Sequence, residues 1–268
     1  MRLYAKYGEK KKTLEDFLDN QDREFIPCYI DIVMVIDVTK DSPFANNDKF
    51  WRKLIPQIIR RITDPQDILF TKRIPKMRIK ILYFRDYYFD GRYVFGESAF
   101  FDIPEDLSNI FEYLNGIQAA GGGDIPESGL EALWMALNID YEYFNSFSHR
   151  TIITLCTNAP AHPLEEYHLL VEKTHRKNCC APVNYPEKIP RNLAELGEFW
   201  EDWTDPAVAT IVLIAPEEEP WSEMEVTWSN LVRIDPELLI ENMPEEINYM
   251  MDIYWEAVFG MPLGFRCY

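Results

Sequence analysis

Ile30-Asp31-Ile32-Val33-Met34-Val35-Ile36-Asp37-Val38-Thr39-Lys40-Asp41-Ser42 is the stretch that decides the fold. Its short apolar run, rich in Ile and Val, is what a buried parallel strand needs. The run breaks off abruptly, and Asp37, Thr39 and Asp41 follow at alternate positions. Oxygen donors so spaced, just past the carboxyl end of a strand, suit a hard cation such as Mg2+. Open α/β sheets bind their ligands at that edge.

Two later stretches extend the same site. Gly121-Gly122-Gly123 precedes Asp124 and leaves room for a close backbone approach. Pro126 suits the first turn of a helix, whose positive end favours nearby oxyanions. Thr154–Pro160 closes another apolar strand on Asn158, a further oxygen donor. All three loops fall at carboxyl ends of expected strands or just before a helix, and so on one edge of the sheet.

Working outward, strands are expected at Tyr29–Ile36, Met77–Phe84, Thr151–Thr157, Val208–Ala215 and Leu231–Ile234. Tyr93–Phe101 reads as a short edge strand or hairpin element. Phe50, Trp51, Leu54, Ile58, Ile59 and Ile62 recur at helical spacing, with Pro56 expected to kink or split that helix. Further helices are expected at Pro104–Leu114, beyond Pro126, at Leu164–His175, at Leu193–Trp203 and at Glu245–Phe259. Thr13 caps a short one carrying Leu14, Phe17 and Leu18. This alternation predicts an α/β, Rossmann-like, doubly wound sheet, mostly parallel, with one antiparallel edge strand and helices on both faces. A single domain over 1–268 is expected, with 1–25 as an extension, 178–206 as an elaborated connection, and 215–268 supplying the last strand and helix elements.

Hydrophobic residues make up 47% of the 268, enough for a sizeable core. The net charge of −18 repels phosphate backbones, so nucleic acid is a poor partner. No signal-like segment opens the chain and no apolar run is long enough for a membrane span, so a cytoplasmic location is expected. Five cysteines in a chain of this size do not form a disulfide framework.

The stretches Val35–Asp41, Tyr83-Phe84-Arg85-Asp86-Tyr87, Gly121–Glu127 and Leu155–Pro163 together resemble a von Willebrand factor A domain. They occur in that family's order and cover residues 28–165; the remainder matches only in its strand–helix rhythm. The Phe-Arg-Asp-Tyr and Gly-Gly-Gly-Asp-x-Pro-Glu pieces resemble the alpha-kinase-type and bacterial branch. The family's metal-ion-dependent adhesion site has the form Asp-x-Ser/Thr-x-Ser, then a distant Thr or Asp, then a distant Asp. By that resemblance Asp37, Thr39 and Asp124 are metal ligands. Asp41 stands where the family has Ser, and Asn158 where it has Asp. Three carboxylates remain, at Asp37, Asp41 and Asp124, and Ser42 is a substitute hydroxyl. The resemblance implies a non-enzymatic interaction module: Mg2+, with Mn2+ or Ca2+ as substitutes, is completed by an Asp or Glu of a protein partner. It also implies work beside kinases, phosphatases or ATPases in bacterial stress, defence or signalling systems.

Two rival readings stay open. One is a Mg2+-dependent phosphotransferase or hydrolase with Asp37 as nucleophile or ligand. It lacks a phosphate-neutralising lysine in a matching loop. The other is a scaffold whose metal site has degenerated. Arg85 and Asp86, at the end of a strand, either shape the rim or buttress the first loop. Cys179-Cys180 with His175 lacks a second pair at zinc spacing. His162 and His168 have no nucleophile elbow to serve. Cys156 and the tryptophans Trp200, Trp203, Trp221 and Trp228 read as core.

Overall fold

A computed structural model describes residues 29–45, 48–63, 76–90, 94–123, 125–141, 149–164, 186, 188–203, 209–241, 248–250 and 252–253. The decisive stretch forms β1 (Tyr29–Asp37), buried along nearly its whole length. The other strands are β2 (Lys76–Phe84), β3 (Phe95–Glu97), β4 (Phe101–Ile103), β5 (His149–Cys156), β6 (Ala209–Ile214) and β7 (Leu231–Ile234). The helices are α1 (Asp48–Thr63), α2 (Tyr87–Asp90), α3 (Leu107–Gly116), α4 (Gly129–Leu137), α5 (Leu193–Trp203), α6 (Trp221–Thr227) and α7 (Pro236–Glu241).

The strands form one seven-stranded sheet in the order β3-β2-β1-β5-β6-β7, with β4 also on β2. Pairings among β1, β2, β5, β6 and β7 are all parallel. Only β3 and β4 run antiparallel, each against a different part of β2, and together they make one interrupted edge strand. The interruption has a cause. Ser98 N–H donates to the Ile81 carbonyl, while Ser98 Oγ accepts from Ile81 N–H at 2.9 Å, so one serine replaces a ladder step. The chain is thus α/β, with a mostly parallel Rossmann-like sheet and helices on both faces.

Alternation along β1 separates the two cores. Ile30, Ile32, Met34 and Ile36 face α1, where Phe50, Trp51, Leu54, Ile55, Ile58 and Ile59 are buried. Val33 and Val35 face α4, α5 and α6, with Leu130, Leu133, Leu196, Trp200 and Trp221. A strand covered on both sides must be apolar at every position, which is why its sequence is continuous and not alternating. The two polar exceptions, Asp31 and Asp37, both fall on the α4 face by the same alternation.

Several expectations need correcting. Pro56 does not split α1, which runs unbroken through it for 16 residues. Four buried side chains around it, Leu54, Ile55, Ile58 and Ile59, hold the helix to the sheet despite the missing N–H. The helix expected from Pro104 starts only at Leu107, after a turn in which Leu107 N–H bonds the Pro104 carbonyl. The short α6 and α7 were not expected. Each carries a buried anchor, Trp221 and Leu239, so packing and not length sustains them. The expected helices at Thr13, at Leu164–His175 and at Glu245–Phe259 lie wholly or mostly outside the described residues. No described helix is long and apolar enough to cross a membrane.

Candidate metal centre

Asp37 ends β1 and is completely buried. Its carboxylate is held by its own loop and by the neighbouring strand end. Thr39 N–H and Thr39 Oγ1 both donate to Oδ1, at 2.9 and 2.7 Å. Thr157 Oγ1 donates to Oδ2 at 2.9 Å. The register makes the last contact possible: Ile36 pairs Cys156, so the residues after each strand lie side by side. Thr157 Oγ1 in turn accepts from Ala159 N–H at 3.1 Å, which shapes the turn through Asn158.

The glycine-rich loop closes on the same spot. Ala120 N–H donates to the Val38 carbonyl at 3.1 Å, and Lys40 N–H donates to the Gly121 carbonyl at 3.3 Å. Gly121 and Gly122 adopt φ of +77° and +69°, a region that favours glycine. A Cβ on Gly122 would stand 2.9 Å from Thr39 Cβ and 3.1 Å from Glu127 Oε1, so only a bare backbone fits between these groups. Gly122 N–H is held by Asp90 Oδ2 at 3.0 Å, and the same oxygen accepts from Asp86 N–H at 3.1 Å.

The remaining expected residues occupy distinct places. Asp41 and Asn158 are exposed at the crest, beside the buried Asp37–Thr39–Thr157 group. Ser42 is buried, and its hydroxyl donates to the Asp37 carbonyl oxygen at 2.8 Å, so it fastens the loop. Trp51 Nε1 donates to the Phe44 carbonyl at 2.8 Å and ties the end of that loop to α1. Arg85 reaches away: its NH2 donates to the Gln118 carbonyl at 2.7 Å, and its guanidinium lies over the Tyr83 ring. Asp86 is fully buried, with Oδ1 3.3 Å from His162 Nε2. Both thus brace the loops. Asp124, with His168, His175, Cys179, Cys180 and Trp203, lies outside the residues whose side chains are described.

Three participants had not been singled out. Thr157 was legible in principle, one residue before Asn158 in a stretch already chosen. Glu127 lies in the glycine-rich match and is only 5% exposed. Asp90 carried no signal, because its role is to bridge backbone amides of two loops distant in sequence.

Electrostatics set Asp37 apart. Burial pushes its carboxyl above the usual 3.8, and the bonds from Thr39 and Thr157 only partly offset this. No Lys, Arg or His among the described residues pairs with it. The donors at the crest are carboxylate, hydroxyl and amide oxygens, the set a hard divalent cation takes. Each threonine hydroxyl gives its proton to Asp37 and keeps oxygen lone pairs for another partner. Asp37, Thr39 and the crest residues therefore fit a divalent cation in chemistry and charge. Among the described residues, which leave out Asp124, no group of three or more His, Cys, Asp or Glu side chains forms a metal cluster. Cys156, fully buried beside Asp37, has its thiol pushed well above the ordinary range by burial and by that carboxylate.

No family model matches the chain, and no curated protein matches it. Among solved structures, it matches proximal thread matrix protein 1 from the mussel byssus with a zinc-occupied MIDAS motif, at 11% identity and a TM-score of 0.37. Two other structures of that protein match at 10% and 13% identity, with TM-scores of 0.40 and 0.37. Each match covers 84% of this chain but 46% of the mussel chain, so the chain spans about half the length of these structural neighbours.

Proposed function

We propose that this chain is a protein-interaction module that holds a divalent cation at the crest of its sheet and binds a partner's carboxylate through it. Asp37, Thr39, Asp41 and Asn158 would hold the ion, with Asp124 entering from the sequence. Mg2+ is the first candidate, and Mn2+ or Ca2+ are substitutes, since all accept oxygen donors. When bound, the cation supplies a positive charge with an open position for an outside carboxylate. The role is one of recognition and not of catalysis, and the acidic surface favours partners with basic residues around that carboxylate. The resemblance to von Willebrand factor A domains extends this reading to assemblies that work in stress, defence or signalling.

One observation carries the proposal. Asp37 is a fully buried carboxylate held by two threonine hydroxyls and one backbone N–H, and no cation of the described protein offsets it. Burying an ion without a counter-charge is costly, and a divalent cation would remove that cost. Calorimetry and thermal unfolding with Mg2+, Mn2+ and Ca2+ test it. Wild type should bind at least one ion, with a midpoint that rises with ion concentration, and Asp37→Ala should not respond. A wild type indifferent to all three at millimolar concentration would leave a scaffold without a working metal site.

A further inference from the structure

We propose that the hollow between α4, α5 and α6 is a docking pocket for a lysine or arginine side chain of a partner protein. This second site does not depend on the cation, and its test runs without one.

The hollow holds about 560 Å3, inside the range of about 300–1,000 Å3 typical of ligand pockets. Leu130, Ala161, Leu164 and Leu193 give it apolar walls. Pro220 adds to these, and Glu219 and Glu223 complete the lining with exposed side chains. The hollow borders the loop that also braces Asp37. Ala161 lines it, and the Ala159 carbonyl accepts from Trp221 Nε1 of α6 at 2.9 Å, while Ala159 N–H donates to Thr157 Oγ1. Pro163 and Ala194 are exposed at its mouth, so a side chain carried on another protein can enter from outside.

Charge selects the occupant. The glutamates from the end of β6 through α6 divide into two sets. Glu217 and Glu225 are both paired with Arg233. Glu219 and Glu223 face the hollow, and among the described residues no Lys, Arg or His pairs with either. No described lining residue is Lys, Arg or His. The first turn of α5, which also lines the hollow, does not call for an anion. Glu195 N–H donates to Asn192 Oδ1 at 2.9 Å, and Arg191 N–H donates to Glu195 Oε2 at 2.8 Å, so that end is capped from within. The fitting occupant is apolar along its length and cationic at its tip. Lys and Arg have this division, with a methylene stem that covers apolar surface and a charged head that stays near water. A basic partner also suits the net charge of −18.

The test uses the full chain in EDTA at about 0.15 M salt, where attraction between distant surface charges is screened. Amide NMR shifts of Ala161, Leu193 and Glu223 are followed against end-capped peptides with one arginine among glycines, or with glutamine or the short-stemmed 2-amino-3-guanidinopropionate in its place. The arginine peptide should bind at least about tenfold tighter than either control. Glu219→Gln with Glu223→Gln should abolish that preference, and so should Ala194→Trp, which fills the hollow. Glu217→Gln with Glu225→Gln removes the same charge and should keep it. Equal losses in the two double variants would reduce the effect to attraction by an acidic surface. Binding that survives Glu219→Gln with Glu223→Gln, binding that survives Ala194→Trp, or no shift at millimolar arginine peptide would each overturn the pocket. Spermidine displacing the peptide at equal or lower concentration would assign the hollow to a small polycation and overturn the protein partner. Because every arm contains EDTA, none of these outcomes bears on the metal reading.

Discussion

Asp31 and Asp37 occupy the same face at opposite ends of β1, both buried, and among the described residues only Asp31 has cationic partners. Arg78 donates to Asp31 through Nε and NH2 at 2.7 and 2.6 Å, and His149 Nε2 lies 3.0 Å away. Phe100 stacks on the Arg78 guanidinium with its centroid 4.2 Å off. Asp37, at the carboxyl end, takes two threonine hydroxyls and the Thr39 N–H. The amino end of the strand carries its own counter-charges, and among the described residues none stands at the carboxyl end.

Arg78→Met should therefore be among the more damaging substitutions in the sheet. Removing one member of a buried charge group leaves the other uncompensated, at a cost of about 3–5 kcal/mol. Combined with Asp31→Asn, much of that loss should return, because no buried charge is then stranded. Urea unfolding of the single and double variants gives the comparison.

Acid should weaken the fold through Asp31. Burial raises its carboxyl, but the His149 and Arg78 bonds outweigh this and hold it below the usual 3.8. A carboxyl lowered in the folded state contributes stability that is full above its unfolded value and is lost as pH falls through the folded one. Stability measured from about pH 5 down to about pH 2 should fall along a limb that is shallower in Asp31→Asn. An unchanged limb would assign acid sensitivity to other carboxyls.

Thr157→Val keeps the shape of the side chain and deletes the donor to Asp37 Oδ2. A hydrogen bond to a charged group contributes about 1.5–3 kcal/mol, so the variant should lose stability in that range and bind the cation more weakly. Thr157→Ser, which restores the hydroxyl, should recover both properties. Thermal unfolding with and without Mg2+ reads the two effects.

Gly122→Ala should disturb the site from the backbone. The new Cβ meets Thr39 at 2.9 Å in a conformation with φ of +69°. Left-handed backbone alone costs a side-chain-bearing residue about 1–2 kcal/mol. Lower stability together with a weakened Mg2+ response is the expected result, and Gly116→Ala, where a Cβ meets nothing within 4 Å, is the control.

Cys156 should be inert in the native protein. Its thiol is fully buried and pushed above its ordinary 9.0, which leaves almost no thiolate near neutrality. Mass-spectrometric mapping after iodoacetamide treatment should find Cys156 unmodified until urea unfolds the chain.

Much of the fold could be read from local pattern. The apolar run of β1, the β-branched runs of β5 and β6, and the helical spacing from Phe50 to Ile59 each report a period that one segment carries by itself. What failed did so for tertiary reasons. Pro56 looked like a break, yet sheet contacts on either side carry α1 through it. Arg78 falls inside the expected strand Met77–Phe84, yet nothing local marks it as a buried counter-ion to a residue far earlier in the chain. Short α6 and α7 have too few residues for a periodic signal, and they depend on Trp221 and Leu239.

The sequence by itself determined the sheet's central strand, the loop of oxygen donors that follows it and the glycine step that comes near it, because each is written in neighbouring residues. Tertiary structure alone decided which of those oxygens are buried, that Thr157 holds Asp37, that Ser42 fastens the loop, and that Asp31 meets Arg78 and His149. Strand register sets these outcomes: parallel pairing aligned β1 with β5 and β2 across separations of 118 and 47 residues, and no local pattern encodes such a pairing.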